Sequence, residues 1–150
     1  MRRRDFVTFL GGAAVAWPLV VNARFTYRVG TLTVSSFERA SHSIKAFEES
    51  MVELGYVSGL NVTYEHRFAN GQLQRPADLA KDLAALNVDI IVAGSNASIS
   101  AAKQVTSTIP IVMTYSIDPI GTRFIPSFPR PGGNITGMTG ERRAVPRAGR

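Results

Sequence analysis

Two short apolar runs constrain this chain more than any other feature. Val88-Asp89-Ile90-Ile91-Val92-Ala93-Gly94 and Ile109-Pro110-Ile111-Val112-Met113-Thr114-Tyr115 are nearly continuous and rich in β-branched residues, and both are too short for buried helices. Runs of this kind read as strands buried on both faces, the habit of a parallel sheet. Pro110 fits because it falls at the start of its strand, where a missing ladder donor does least harm. Between the two runs lies a segment of small residues, from about Ala97 to Thr106. It reads as a helix, with Ser95 and Asn96 placed to cap its N-terminus.

The same alternation extends upstream. Tyr27 to Val34 is rich in β-branched residues and reads as a strand, followed by a Ser35-Ser36-Phe37 loop. From Arg39 to Leu54 the residues Ile44, Phe47, Met51 and Leu54 recur at helical spacing, and Glu48, Glu49 and Glu53 read as its solvated side. Gly55 ends that helix. Asn61 to Phe68 alternates, with Val62, Tyr64 and His66 on one face and Thr63, Glu65 and Arg67 on the other, as expected near a sheet edge. Pro76 suits the first turn of a further helix, whose buried side carries Leu79, Leu83 and Leu86. Asn134-Ile135-Thr136-Gly137 adds a last short strand. Strands alternating with helices in this order predict an α/β fold: an open parallel sheet with right-handed crossovers and helices on both faces.

The start of the chain stands apart from this pattern. Met1-Arg2-Arg3-Arg4-Asp5-Phe6-Val7 leads into an apolar run ending near Val21. Paired arginines before such a run read as a twin-arginine-type signal peptide over residues 1–23, with cleavage after Ala23, and so predict a periplasmic protein. Residues 28–139 then form one α/β domain, and residues 140–150 lack apolar periodicity and are expected to be disordered. The chain's net charge of +6 comes from its ends. Between positions 29 and 140 there are eight Lys and Arg against nine Asp and Glu, a balance of −1. That distribution argues against a nucleic-acid partner.

In an open parallel sheet, ligands bind beyond the carboxyl ends of the strands. Four segments meet that condition: Ser35 to Phe37, Phe68 to Gly71, Gly94 to Asn96, and Ser116 to Pro119. Ser35, Ser36, Ser95, Asn96 and Asp118 are the candidate ligand contacts. The start of the helix after Gly94 suits a carboxylate, and Asp118 suits an ammonium group. Ser95 and Asn96 are equally at home as plain caps, and Asp118 as a plain turn residue before Pro119. His42 and His66 lack the partners of a metal site. The chain has no cysteine, and neither a Gly-x-Ser-x-Gly elbow nor a Gly-rich phosphate loop. No cofactor, metal or catalytic residue is assigned. An exported Rossmann-like enzyme and a ligand-sensing domain of the same fold stay open as alternatives.

Several stretches, taken in order, resemble the periplasmic substrate-binding components of ABC transporters, in the branch of tryptophan- and other amino-acid-binding proteins. They are Arg28-Val29-Gly30, Phe47 to Asn61, Val88 to Gly94 with its following helix, Ile109 to Val112, Asp118-Pro119-Ile120-Gly121, and Arg130 to Gly137. The resemblance implies a flavodoxin-like strand order and a two-lobed binder that closes on a small amino-acid-like solute. It also implies an ABC permease as partner and no enzymatic activity. The likeness covers the first lobe only, so a truncated product is expected. One lobe offers one wall of a cleft, and weak binding by the chain alone is the expectation.

Overall fold

The computed structural model describes residues 26–140. The signal peptide expected over residues 1–23 and nearly all of the tail expected to be disordered lie outside the described residues. Five strands and three helices follow in order: β1 (Tyr27–Thr33), α1 (Phe37–Glu53), β2 (Val62–Phe68), α2 (Arg75–Ala85), β3 (Ile90–Ala93), α3 (Asn96–Val105), β4 (Ile111–Met113) and β5 (Ile135–Gly137). All four strand pairings are parallel. The sheet order is β2-β1-β3-β4-β5, the flavodoxin-like order, whose direction of winding reverses between β1 and β3.

That order fixes which face each connection covers. Only β1-α1-β2 steps toward the β2 edge; every later connection steps toward β5. Right-handed crossovers therefore put α1 on one face, and α2, α3 and the β4–β5 connection on the other. The packing agrees: α2 and α3 lie against each other, and Phe124 and Ile125 of the β4–β5 connection join their core. Register places Leu32, Ile91, Ala93, Ile111, Met113 and Ile135 toward α2 and α3. There they meet Ala80, Leu83, Ile99 and Ala102, all fully buried. Gly30 lies on this face in close packing, where a Cβ would sit 3.0 Å from the Leu83 side chain and Leu83 would have to shift.

Two expectations need correction. The buried runs pair over shorter spans than their apolar length suggests. Val88 is 3% exposed and packs in the core ahead of β3, and Ile109 packs against that core ahead of β4. The helix over Arg39–Leu54 begins earlier, at Phe37, and none of its residues is fully buried. Leu54, expected on its buried stripe, is 73% exposed.

α1 is held to the sheet by side chains instead. Phe47 meets Tyr64 edge to face, with ring centroids 5.9 Å apart. Glu48, expected to be solvated, bonds His66 across the interface: Glu48 Oε1 lies 2.8 Å from His66 Nε2, and Thr31 Oγ1 lies 2.7 Å from His66 Nδ1. A carboxylate only accepts, so His66 Nε2 donates to Glu48, and the Thr31 hydroxyl bonds the other ring nitrogen. His66 stacks on Tyr64 with an interplanar angle of 6°. Burial and the nearby Glu48 raise the Tyr64 hydroxyl above its ordinary pKa.

Candidate functional site

The point where the winding reverses lies between β1 and β3, and the loops that leave their carboxyl ends diverge to opposite faces. This opens a notch in the end of the sheet. Gly94 follows β3 at its floor. A side chain at position 94 would approach Thr114 Oγ1 to 3.6 Å and Thr33 Oγ1 to 3.9 Å. Two hydroxyls from the neighbouring strand ends thus flank a residue with no side chain, so backbone and hydroxyl groups are presented together. Ser35 closes the near side, its N–H donating to Thr33 Oγ1 at 3.3 Å. These four residues line the mouth of a cavity of about 320 Å³, with Arg39 and Ser43 of α1 beside them. Cavities of this size accept small ligands. The Arg39 side chain makes no ion pair or hydrogen bond among the described residues and brings a positive charge to the mouth.

The expected site residues follow the carboxyl ends of three adjacent strands, β1, β3 and β4, and so lie at the same end of the sheet. Ser35 lines the cavity. Ser36 is the N-cap of α1, but its hydroxyl makes no cap bond to the backbone. The Glu38 carboxylate nearby is held below its ordinary pKa, first by its own backbone N–H and then by Ser36.

Ser95 is the N-cap of α3. Its Oγ accepts from Ser98 N at 3.2 Å and donates to Ser98 Oγ at 3.0 Å. Asn96 opens α3 and reaches sideways to the loop after β4. Its Nδ2 donates to the Ile117 carbonyl at 2.8 Å, and its Oδ1 accepts from Ser116 Oγ at 2.9 Å and Ile117 N at 3.0 Å. The side chain is thereby committed to holding two ligand-side loops together. Its backbone stays available: the first bond of α3 runs from Ile99 N to Ser95 O, so the N–H groups of Asn96 and Ala97 precede the helical ladder and point out of its end.

Asp118 shapes a turn. It takes φ +48°, and its Oδ1 accepts from Gly121 N at 2.8 Å. A Cβ at position 121 would lie 1.9 Å from Asp118 Oδ2, so any side chain there would push the carboxylate out of this turn. The carboxylate remains exposed at the same end as the notch.

Sequence reasoning missed Thr33, Arg39, Ser43, Gly94's place at the notch floor, and Thr114. A threonine at a strand end reads as one more β-branched residue, and only the strand order shows that Thr33 and Thr114 flank the same glycine. Among the described residues no cluster of three or more His, Cys, Asp or Glu side chains is placed to hold a metal ion. No helix among them is long and apolar enough to cross a membrane.

The family model for "ABC transporter substrate binding protein" matches residues 14–147. A tyrosine-binding protein of Clostridioides difficile (strain R20291) is 31% identical over 95 residues, which are 63% of this chain and 28% of that protein. Two solved structures share the fold over 76% of this chain. One is the ligand-free, open form of a substrate-binding protein with adhesive properties from Clostridium difficile, with a TM-score of 0.70, 23% identity and 39% of that chain covered. The other is a domain from Streptococcus pneumonia in complex with L-Trp, with a TM-score of 0.69, 24% identity and 38% of that chain covered. The chain therefore spans well under half the length of these relatives, and on the breadth of the family match it belongs to the ABC transporter substrate-binding proteins.

Proposed function

We propose that this chain forms one wall of an extracytoplasmic binding cleft for an amino acid, delivered in the full-length protein to an ABC permease. The observation that carries the reading is the notch at Gly94, with the Thr33 and Thr114 hydroxyls on either side of it. The free N–H groups of Asn96 and Ala97 and the uncommitted Arg39 favour the ligand carboxylate. The exposed Asp118 carboxylate favours its ammonium group. Ser35 and Ser36 supply hydroxyls at the near side. One relative is a tyrosine-binding protein and another is in complex with L-Trp, which favours an aromatic amino acid. Phe37, 58% exposed at the start of α1, supports that preference. It is braced edge to face on Phe68 at 5.6 Å, which leaves ring surface for an apolar ligand body.

One wall buries only part of a small ligand, so the second wall comes from the portion of the protein outside this lobe. The absence of a nucleophile or cofactor fingerprint keeps an exported enzyme as the weaker reading, and nothing at the notch favours it. A thermal-shift panel of the twenty amino acids tests the proposal. The protein used carries this chain in place of the matched stretch of the C. difficile tyrosine-binding protein. A ligand that binds only the folded form raises the melting temperature by mass action. A response to tyrosine or tryptophan that Gly94→Val abolishes is expected. No response to any amino acid would refute the assignment.

A further inference from the structure

The two edges of the sheet are unequal. β5 is three residues long, whereas β2 runs for seven, Val62 to Phe68, with no proline or glycine among them. β2 pairs with β1 along its whole length, and among the described residues no strand lies on its outer side. Its backbone groups alternate between the two sides. Tyr27 N donates to Asn61 O, and Ala69 N donates to Thr33 O, each at 2.9 Å, so the odd-numbered positions turn toward β1. The even-numbered positions turn outward. On that side Val62 O accepts from Gly59 N at 2.9 Å, and His66 O accepts from Arg67 Nη1 at 3.1 Å. The N–H and C=O groups of Tyr64 and Phe68, and the N–H of His66, face outward with no partner among the described residues.

An edge of this kind is a template for another strand. A second copy related by a two-fold axis pairs β2 with β2 antiparallel, and the charges on the strand choose the register. Glu65 and Arg67 share the α2 face, aligned with Gly30 and Leu32 of β1. An axis through Glu65 sets that carboxylate against its own copy, and an axis through Arg67 does the same to the guanidinium. An axis through Tyr64 needs the Val62 carbonyl, which Gly59 holds. An axis through His66 sets Glu65 opposite Arg67 of the second copy, on both sides of the axis. The same register makes hydrogen-bonded pairs of His66 with His66 and of Tyr64 with Phe68, and so uses every outward group that lacks a partner. Arg67 Nη1 lies 3.3 Å from Glu65 Oε2 of its own strand. Pairing passes it to Glu65 of the second copy and releases His66 O to accept the opposing N–H, so no polar group is stranded.

We infer that β2 is a self-association edge: two copies of this chain join through it, antiparallel about His66, into one continuous sheet. A single strand pair is smaller than the standard interface of about 1,600 Å², so the dimer is weak, with a dissociation constant on the order of 100 μM. The notch lies between β1 and β3, inside the sheet from this edge. The dimer leaves it open, and the inference does not rest on the ligand reading.

Sedimentation velocity of the chain over a range from about 10 μM to about 1 mM tests this. The unaltered chain is expected to pass from monomer to dimer across that range. Glu65→Arg and Arg67→Glu, each checked for folding by circular dichroism, should raise the concentration needed by about 10-fold or more, because both copies then carry like charges at the paired positions. An equimolar mixture of the two variants should dimerise again. In the mixed pair every Arg faces a Glu across the axis, while within each strand positions 65 and 67 still repel, so the rescue reports the contact between copies alone. If either variant does not fold, amide hydrogen exchange of the unaltered chain decides: the Tyr64, His66 and Phe68 amides should exchange more slowly as protein concentration rises. A monomer at every concentration would overturn the inference. So would a dimer that neither substitution weakens, a mixture that associates no better than its components, or exchange at the three amides that ignores concentration.

Discussion

The face of the sheet under α2 and α3 and the face under α1 are built from the same strands, yet one is closed and the other half open. The closed face is a continuous apolar layer, from Leu32 through Ile91 and Ile111 to Ile135, met by Leu83, Ile99 and Ala102. The α1 face holds its helix through an aromatic edge contact and the Glu48–His66–Thr31 bonds. The difference shows that alternating residues along a strand are not enough to make two cores. Each face also needs a crossover to cover it, and the strand order decides how many it receives.

The sharpest way to break this comparison is to truncate neighbours on opposite faces of β4. Ile111→Ala, fully buried, is expected to cost about 2–5 kcal/mol in denaturant unfolding. Val112→Ala, half-buried, should cost about 1 kcal/mol or less. Equal losses would show that the faces are equally packed in this chain. The clamp on α1 comes next. His66→Ala removes two hydrogen bonds and a stacked ring, for about 1–2 kcal/mol. Its loss should appear in hydrogen exchange as faster opening of α1 with α2 unchanged; uniform acceleration would mean that α1 is no separate unit.

A smaller effect of opposite sign is expected at Tyr64, whose buried hydroxyl has no hydrogen-bond partner among the described residues. Tyr64→Phe removes a desolvated group that gains nothing in return, so stability should stay within about 0.5 kcal/mol or rise. A loss beyond about 1 kcal/mol would reveal a partner for the hydroxyl. The smallest effect concerns pH. Glu38 is fully exposed, and its folded pKa lies below the ordinary value of 4.5. Its contribution is therefore present above the unfolded value and fades as pH falls through the folded one. Glu38→Gln should flatten the stability profile slightly below about pH 4.5 and leave it unchanged at neutral pH.

Much of the architecture was legible in the residues, because apolar period and turn chemistry are local. The runs around Ile90–Val92 and Ile111–Met113, the proline at the start of α2 and the alternating β2 all lie where their patterns place them. Their lengths were not legible: Val88 is buried and Ile109 packs against the core, although neither lies in a strand. The stripe Ile44, Phe47, Met51 and Leu54 marks the side of α1 suited to a neighbour, and a sequence period cannot say whether the neighbour comes from the same lobe. The candidate site was legible at the level of loops. Its floor at Gly94, with Thr33 and Thr114 on either side, depends on three strands separated by helices in sequence, and becomes visible only once β1, β3 and β4 lie side by side.

The central claim is that the carboxyl ends of β1, β3 and β4 together form one wall of an amino-acid cleft. Backbone amide chemical shifts of the isotopically labelled chain, followed while L-tryptophan or L-tyrosine is added to millimolar concentration, test it most directly. The account predicts fast-exchange shifts that do not saturate at micromolar ligand, confined to residues 33–39, 94–98 and 114–118 and lost on Gly94→Val. Shifts clustered at the opposite ends of the strands, or saturation at micromolar ligand by this lobe alone, would contradict it.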